Sequence, residues 1–295
     1  MSSTVKNYLS LVKFSHTIFA MPFAVIGFCL GVLQNKHIYN SVPWFLKYGI
    51  KFILVLICMI AARSAAMAFN RYLDRSFDAK NPRTAIREIP TGIISANSAL
   101  RFVILSSVIF VIATYFINPI CFVLSPVALF VVLFYSYTKR FTPLCHLVLG
   151  LGLSLAPIGA YLAVTGRFDL LPILFSLAVI FWVSGFDVIY ALQDVDFDQS
   201  QKLYSIPSVL GKAKALKVSE ILHVISAACV IFAGFYGHFH WLYWVGIAIF
   251  VAMLIYQHSV VKPNDLSKVN LAFMTANGIA SVVFAVFVIA DIVVR

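Results

Sequence analysis

The sequence predicts an all-α, polytopic membrane protein of nine transmembrane helices, and three observations carry that prediction. The chain is 62% hydrophobic and only 11% charged, whereas soluble domains carry about 25% charged residues. Nine apolar windows recur, each close to the roughly 20 residues that span a bilayer core of about 30 Å. Basic residues crowd into alternate connections between those windows, as membrane topology requires.

In chain order the windows fall at about 16–34, 45–69, 99–117, 120–137, 144–164, 170–191, 218–237, 239–257 and 270–294. Lys6 and Lys13 precede the first, which gives it the look of a signal peptide. Its length, its lack of a small-residue cleavage site and the eight similar segments after it assign it to a membrane helix. Of the 22 Lys and Arg residues, 16 lie on the N-terminal side of the membrane in this arrangement. Five (Lys36, Lys47, Lys51, Arg167, Arg295) lie on the other side, and Arg63 sits inside the second segment. The N-terminus is therefore expected in the cytoplasm, and an odd helix count sends the C-terminus out. The same asymmetry accounts for the net charge of +11 without any nucleic acid. Trp44, Trp241, Tyr243 and Trp244 fall where outer-interface anchors belong. The five cysteines stand singly and the seven histidines lack metal-ligand spacing, which argues against a disulfide framework or a zinc site. His238 and His240 flank a short turn.

Two acidic tracts interrupt this apolar chain. Asn70, Asp74 and Asp78 follow the second window at four-residue intervals, and Tyr190, Asp194 and Asp198 follow the sixth. On a continuing helix, a four-residue step advances about 6 Å and returns to the same face. Each tract would then present a ladder of oxygen atoms at the end of a membrane helix. Asp74 and Asp194 lie 120 residues apart, and each ladder leads into a basic loop with an Ile-Pro pair, Ile89-Pro90 or Ile206-Pro207. This is a faint internal repeat of about four helices. Carboxylates at helix C-termini oppose the macrodipole and repel one another, so a cationic centre is expected between them. Mg²⁺ suits the site, because it takes oxygen ligands and completes its shell with water and phosphate. The nearby Arg71, Arg83, Lys139, Arg140 and Lys202 would hold the remaining phosphate charge. The competing reading is a solvated cytoplasmic loop whose acids balance its arginines. Asp196, out of register with its neighbours, suits that reading best.

Arg63 and Asp187 are charged residues within apolar windows. An arginine there costs on the order of 2.5–3.5 kcal/mol on insertion scales, so it should face a polar cavity. Either the two form a structural ion pair, or Arg63 clamps an anionic substrate group and Asp187 lines the same cavity. Tyr135 and Tyr137 are interfacial anchors or cavity liners.

The tract Asn70-x₃-Asp74-x₃-Asp78 with Asn81-Pro82-Arg83-Thr84, Arg87 and Pro90-x-Gly92 resembles the first motif of the UbiA-type membrane prenyltransferases. Tyr190-x₃-Asp194-x₃-Asp198 with Lys202 and Ser205 resembles their second, and Tyr135-x₃-Lys139-Arg140-Phe141-Thr142 a third conserved tract. The resemblance runs from about Lys13 to the final helix and is greatest to the 4-hydroxybenzoate polyprenyltransferase branch. One departure is Arg71, which stands where many members carry Asp.

The resemblance implies one integral-membrane domain over 1–295, its helices surrounding a central cavity capped by the loops after helices two and six. It implies a bacterial inner membrane, with the active-site loops cytoplasmic and no obligate protein partner. The implied reaction is transfer of a polyprenyl group from its diphosphate to a small aromatic acceptor. Mg²⁺ on Asn70, Asp74, Asp78, Asp194 and Asp198 would neutralise the leaving group, with Asn70, Arg71, Arg83, Lys139, Arg140 and Lys202 on the diphosphate. Arg63, Arg87, Asp187 and Tyr135 would form the acceptor side, and an apolar tunnel open to lipid would take the prenyl chain. The alternatives are a family enzyme with a dihydroxynaphthoate, porphyrin or chlorin, or glycerol phosphate acceptor, a membrane terpene cyclase, and a secondary transporter.

Overall fold

The computed structural model describes residues 3–13, 19–35 and 48–294. Trp44, Lys36, Lys47 and Arg295, and the starts of the first two apolar windows, lie outside the described residues.

A short α1 (Ser3–Leu11) is followed by α2 (Met21–Gln34), α3 (Ile50–Leu73) and a single turn, α4 (Arg75–Asp78). Next come α5 (Ala96–Ile117), α6 (Pro119–Thr138), α7 (Cys145–Thr165) and α8 (Leu170–Ala191). A 3₁₀ turn (Leu192–Asp194) and two short helices, α9 (Val195–Ser200) and α10 (Ile206–Leu210), lead to α11 (Lys212–Tyr236) and α12 (Trp241–Val260). A π turn (Leu271–Ala276) opens α13 (Asn277–Val294).

Every predicted apolar window contains a helix. Among the described residues, eight helices are long and apolar enough to cross a membrane: α3, α5, α6, α7, α8, α11, α12 and α13 with its π turn. The remaining one, α2, is 14 residues long. The outer faces of these helices carry large apolar side chains, among them Phe116, Val123, Phe130 and Val224, each more than 60% exposed. Soluble monomers rarely expose contiguous apolar surface on that scale, so these faces meet lipid.

Successive long helices pack against one another from α5 to α13, α3 packs on α5 and α6, and α2 lies between α7 and α13. Without a hydrophobic drive between helices in lipid, close approach depends on small residues. Gly27 of α2 shows this directly: a Cβ there would stand 2.0 Å from the Pro157 carbonyl oxygen of α7. Gly150 of α7 does the same against α8, where a Cβ would stand 2.4 Å from the Ile180 carbonyl oxygen. The main core gathers fully buried Trp182, Phe23, Phe175, Phe250 and Phe284. Buried polar groups beside it bond to one another: Trp182 Nε1 and Gln257 Nε2 both donate to Asn277 Oδ1, each at 2.9 Å.

Two sequence expectations change here. Tyr243 is no interface anchor; it is fully buried, and its hydroxyl donates to the Val230 carbonyl at 2.7 Å. Among the described residues of that set, only Trp241 is highly exposed, at 69%. The ladders also do not ride on unbroken helices, because α3 stops before Asp74 and α8 stops before Leu192.

Candidate active site

Both acidic tracts leave their helices in the same way. Asp74 has φ −90° and ψ 5°, and Asp194 has φ −107° and ψ 6°. These values fall in the sparsely populated bridge region, where active-site residues are often found. The four-residue hydrogen bonding survives the first break: the Asp74 amide donates to the Asn70 carbonyl at 2.9 Å, and the Asp78 amide to the Asp74 carbonyl at 2.8 Å. The spacing read from the sequence therefore persists locally, while the chain direction turns.

The two tracts and the loops after them wall a polar cavity of about 560 Å³. Asn70, Arg71, Asp74, Asp78, Arg83, Arg87, Lys139, Arg140, Asp194 and Asp198 all line it, as do Arg63, Tyr135 and Asp187. Lys202 does not; it is exposed at a turn where its φ is +54°. Asp196 is exposed too.

Each carboxylate of the ladders faces one cation. Arg83 forks onto Asp194, with Nε to Oδ1 at 3.0 Å and Nη2 to Oδ2 at 2.5 Å. Asn81 Nδ2 adds a third bond to Asp194 Oδ1 at 3.3 Å, so the first loop reaches the second motif directly. Arg87 meets Asp78 at 2.6 Å, Lys139 meets Asp198 at 2.7 Å, and Arg140 meets Asp74 at 2.9 Å. Lys139 and Arg140 are neighbours in the chain, yet they divide between the two ladders. Arg140 is held in place by the Ser136 and Leu73 carbonyls. The Tyr204 amide donates to the Lys139 carbonyl at 2.7 Å, which ties the second loop to the same corner.

Burial and charge pull against each other here. Burial raises the Asp74 carboxyl above its ordinary pKa, and Arg140 and Lys139 only partly offset it. Burial would lower the Lys139 ammonium, but the Asp198 carboxylate raises it overall. Arg83 is raised in the same manner by Asp194.

Among the described residues, no three His, Cys, Asp or Glu side chains stand close enough together to hold a metal. The donor chemistry nonetheless fits a hard divalent ion. The four carboxylates offer only oxygen, and Asp78 Oδ2 is buried without a hydrogen-bond partner among the described residues.

A second cavity, of about 370 Å³, lies between α3, α5, α6 and α7 and is almost wholly apolar. Arg63, Met67, Tyr135, Leu149 and Leu153 line both cavities, so the two adjoin along this wall. Arg63 does not pair with Asp187. Its Nη2 reaches the Lys13 carbonyl at 3.4 Å, and Asp187 is instead bound by His146 at 2.6 Å.

A sequence model of the UbiA prenyltransferase family matches residues 17–279. The chain belongs to the UbiA prenyltransferase family. It is 28% identical over 251 residues to the 4-hydroxybenzoate octaprenyltransferase of Tolumonas auensis, covering 84% of this chain and 87% of that protein. It superposes on the apo structure of a UbiA homologue from Aeropyrum pernix K1 with a TM-score of 0.77 and 30% identity, covering 95% of this chain and 97% of that one. A UbiA homologue from Archaeoglobus fulgidus bound to DMAPP and Mg²⁺ has the same fold, with a TM-score of 0.71, 21% identity and coverage of 98% and 100%. The protein is thus an integral-membrane UbiA prenyltransferase, and a transporter assignment is set aside.

Within this UbiA site the sequence reading missed His146. A single histidine early in an apolar helix looks like a packed core residue. The one available signal was a second isolated polar group, Asp187, in the adjoining helix. Ser205 also gains a role: it caps α10 and its hydroxyl donates to Asp198 Oδ2 at 3.0 Å.

Proposed function

We propose that the protein transfers a polyprenyl group from polyprenyl diphosphate to 4-hydroxybenzoate, or a closely related hydroxy-aromatic acid, in quinone biosynthesis. The reaction takes place at the cytoplasmic face of a bacterial inner membrane, where the positive-inside bias of the loops puts the polar cavity. The observation that carries this reading is the shared wall between a charged cavity and an apolar one. A substrate with a diphosphate head and a long hydrocarbon tail needs both environments side by side, with its reactive carbon at the boundary.

Asn70, Asp74, Asp78, Asp194 and Asp198 would hold Mg²⁺, which neutralises the diphosphate and makes it a competent leaving group. Arg83, Arg87, Lys139 and Arg140 already stand on the carboxylates, so each can turn part of its charge onto departing phosphate oxygens. Arg71, only 4% exposed, backs the same wall with its Nε unpartnered among the described residues. The apolar cavity takes the isoprenoid chain, each buried CH₂ contributing about 0.8 kcal/mol. Arg63, at the boundary, binds the acceptor carboxylate and brings the carbon ortho to the phenol against the allylic carbon.

The test is an assay of the enzyme in membranes with labelled polyprenyl diphosphate, Mg²⁺ and a panel of acceptors. Prenylated 4-hydroxybenzoate is expected, with product lost on chelation and in both Asp74→Ala and Asp194→Ala. Full turnover in both variants would end this reading, and preference for dihydroxynaphthoate, a porphyrin or glycerol phosphate would redirect the acceptor. Arg63→Ala should raise the acceptor KM about 10–100-fold, as expected for loss of a charged hydrogen bond of about 1.5–3 kcal/mol, with donor KM little changed.

A further inference from the structure

The function proposed above requires a base, and the structure offers one in Asp187, which the sequence placed on the acceptor side, paired with His146. We infer that Asp187 accepts the proton that the acceptor ring loses, and that His146 positions it for this. The inference rests on the aromatic-acceptor reading and deepens it.

The pair is built rather than incidental. His146 is 2% exposed, and its Nδ1 lies 2.6 Å from Asp187 Oδ2. Its Nε2 lies 3.3 Å from the backbone nitrogen of Ile206. That backbone N–H can only donate, so Nε2 accepts and the ring proton of the neutral imidazole sits on Nδ1. Nδ1–H therefore donates to Asp187 Oδ2, which orients the carboxyl group. The backbone beneath is fixed as well. The Ser184 hydroxyl of α8 lies between the Ile180 and His146 carbonyls, at 2.6 and 3.0 Å, and Gly150, one turn further along α7, permits the close approach of the two helices.

The position fits the chemistry. Asp187 keeps 24% of its side chain exposed, and both it and His146 line the polar cavity. His146 stands one helical turn from Leu149, which belongs to the wall shared with the apolar cavity. The reacting carbon must lie at that wall, with its diphosphate on one side and its chain on the other. Asp187 therefore sits beside the place where the new bond forms. It is not one of the four ladder carboxylates and faces none of their cations.

The electrons balance as follows. The allylic C–O bond breaks and its pair leaves with the diphosphate. A π pair of the acceptor ring forms the new C–C bond. The C–H bond at that ring carbon then breaks, its pair restores the aromatic ring, and the proton goes to Asp187 Oδ1. From there it returns to solvent through the polar cavity. Asp187 is the catalytic residue, and His146 acts through it as a positioning residue.

The experiment uses the full-length enzyme in membranes, with acceptor deuterated at the carbons ortho to the phenol. In the wild type, with the base in place, proton loss should be fast and deuteration should leave turnover unchanged. Asp187→Asn should lower turnover about 10²–10⁴-fold, the range for loss of a general base, and a primary isotope effect should emerge because proton loss has become slow. His146→Ala should show the same isotope effect with a smaller fall. His146→Gln, whose amide can still donate to Oδ2, should recover part of the rate. If Asp187→Asn does not accumulate, the His146 pair carries the test alone. A fall in turnover with no isotope effect, or a change confined to acceptor KM, overturns the assignment and leaves Asp187 an acceptor-binding group. Absence of prenylation of every hydroxy-aromatic acid in the wild type overturns the proposed function itself. Prenylation of a different aromatic moves the same isotope test to that acceptor.

Discussion

The two acidic ladders begin alike and differ in how far each is closed. Both follow a membrane helix, and both break it at an aspartate with nearly the same backbone angles. The first remains partly open: the Asp74 side chain is 25% exposed, and its cation Arg140 is shared with two backbone carbonyls. Both bury the aspartate at the far end, Asp78 at 6% exposure beside Arg87, and the second is closed completely. Asp198 is 0% exposed and held by Lys139 and Ser205. Local spacing therefore sets where oxygen atoms are presented, while loop packing sets how firmly each is held. The Lys139-Arg140 corner joins the two by sending one cation to each.

That contrast gives a graded set of expectations. Lys139→Ala should have the largest effect, because it leaves a fully buried carboxylate without its cation. Removing one partner of a buried pair typically costs about 3–5 kcal/mol, so both activity and the melting temperature of the solubilised protein should fall together. Arg140→Ala should separate these two readouts. Asp74 keeps a quarter of its side chain exposed and water can partly replace the lost cation, so stability should drop less than in Lys139→Ala, while turnover still falls. Equal destabilisation by the two variants would break the distinction between a sealed and an open ladder. Asp196→Ala should do least, with turnover and melting temperature close to the wild type, since its side chain is exposed and off the cavity wall.

The fold was largely legible because long apolar runs leave a chain few options in a bilayer. All nine windows contain helices, and the two ladders fall at helix ends as their place after the second and sixth windows suggested, although the helices break where the spacing had them continue. What escaped was which polar group meets which. In a soluble helix the polar face marks itself by periodicity, but in a lipid-facing bundle almost every position is apolar. An isolated Asp187 then carries no sign of its partner; of the two readings open for it, the ion pair with Arg63 is the one the structure removes. His223 and His258, packed together with Nδ1 and Nε2 2.8 Å apart, went unread for the same reason. Tyr243 was misplaced because an aromatic at a helix start resembles an interfacial anchor whether its ring points to lipid or inward. Lys202 was grouped with the phosphate ligands by its distance in sequence from Asp198, but the turn at its own backbone carries it away from the cavity.

The cavity between the ladders is lined by seven Lys or Arg residues and six Asp or Glu residues, so it is close to electroneutral before any substrate arrives. A lone dication would meet arginines already in place, and a lone polyanion would meet aspartates. A chelate of the two, with most of its own charge cancelled, disturbs this balance least. Loading should therefore be cooperative, each component tightening the hold on the other, and weak when either is supplied alone.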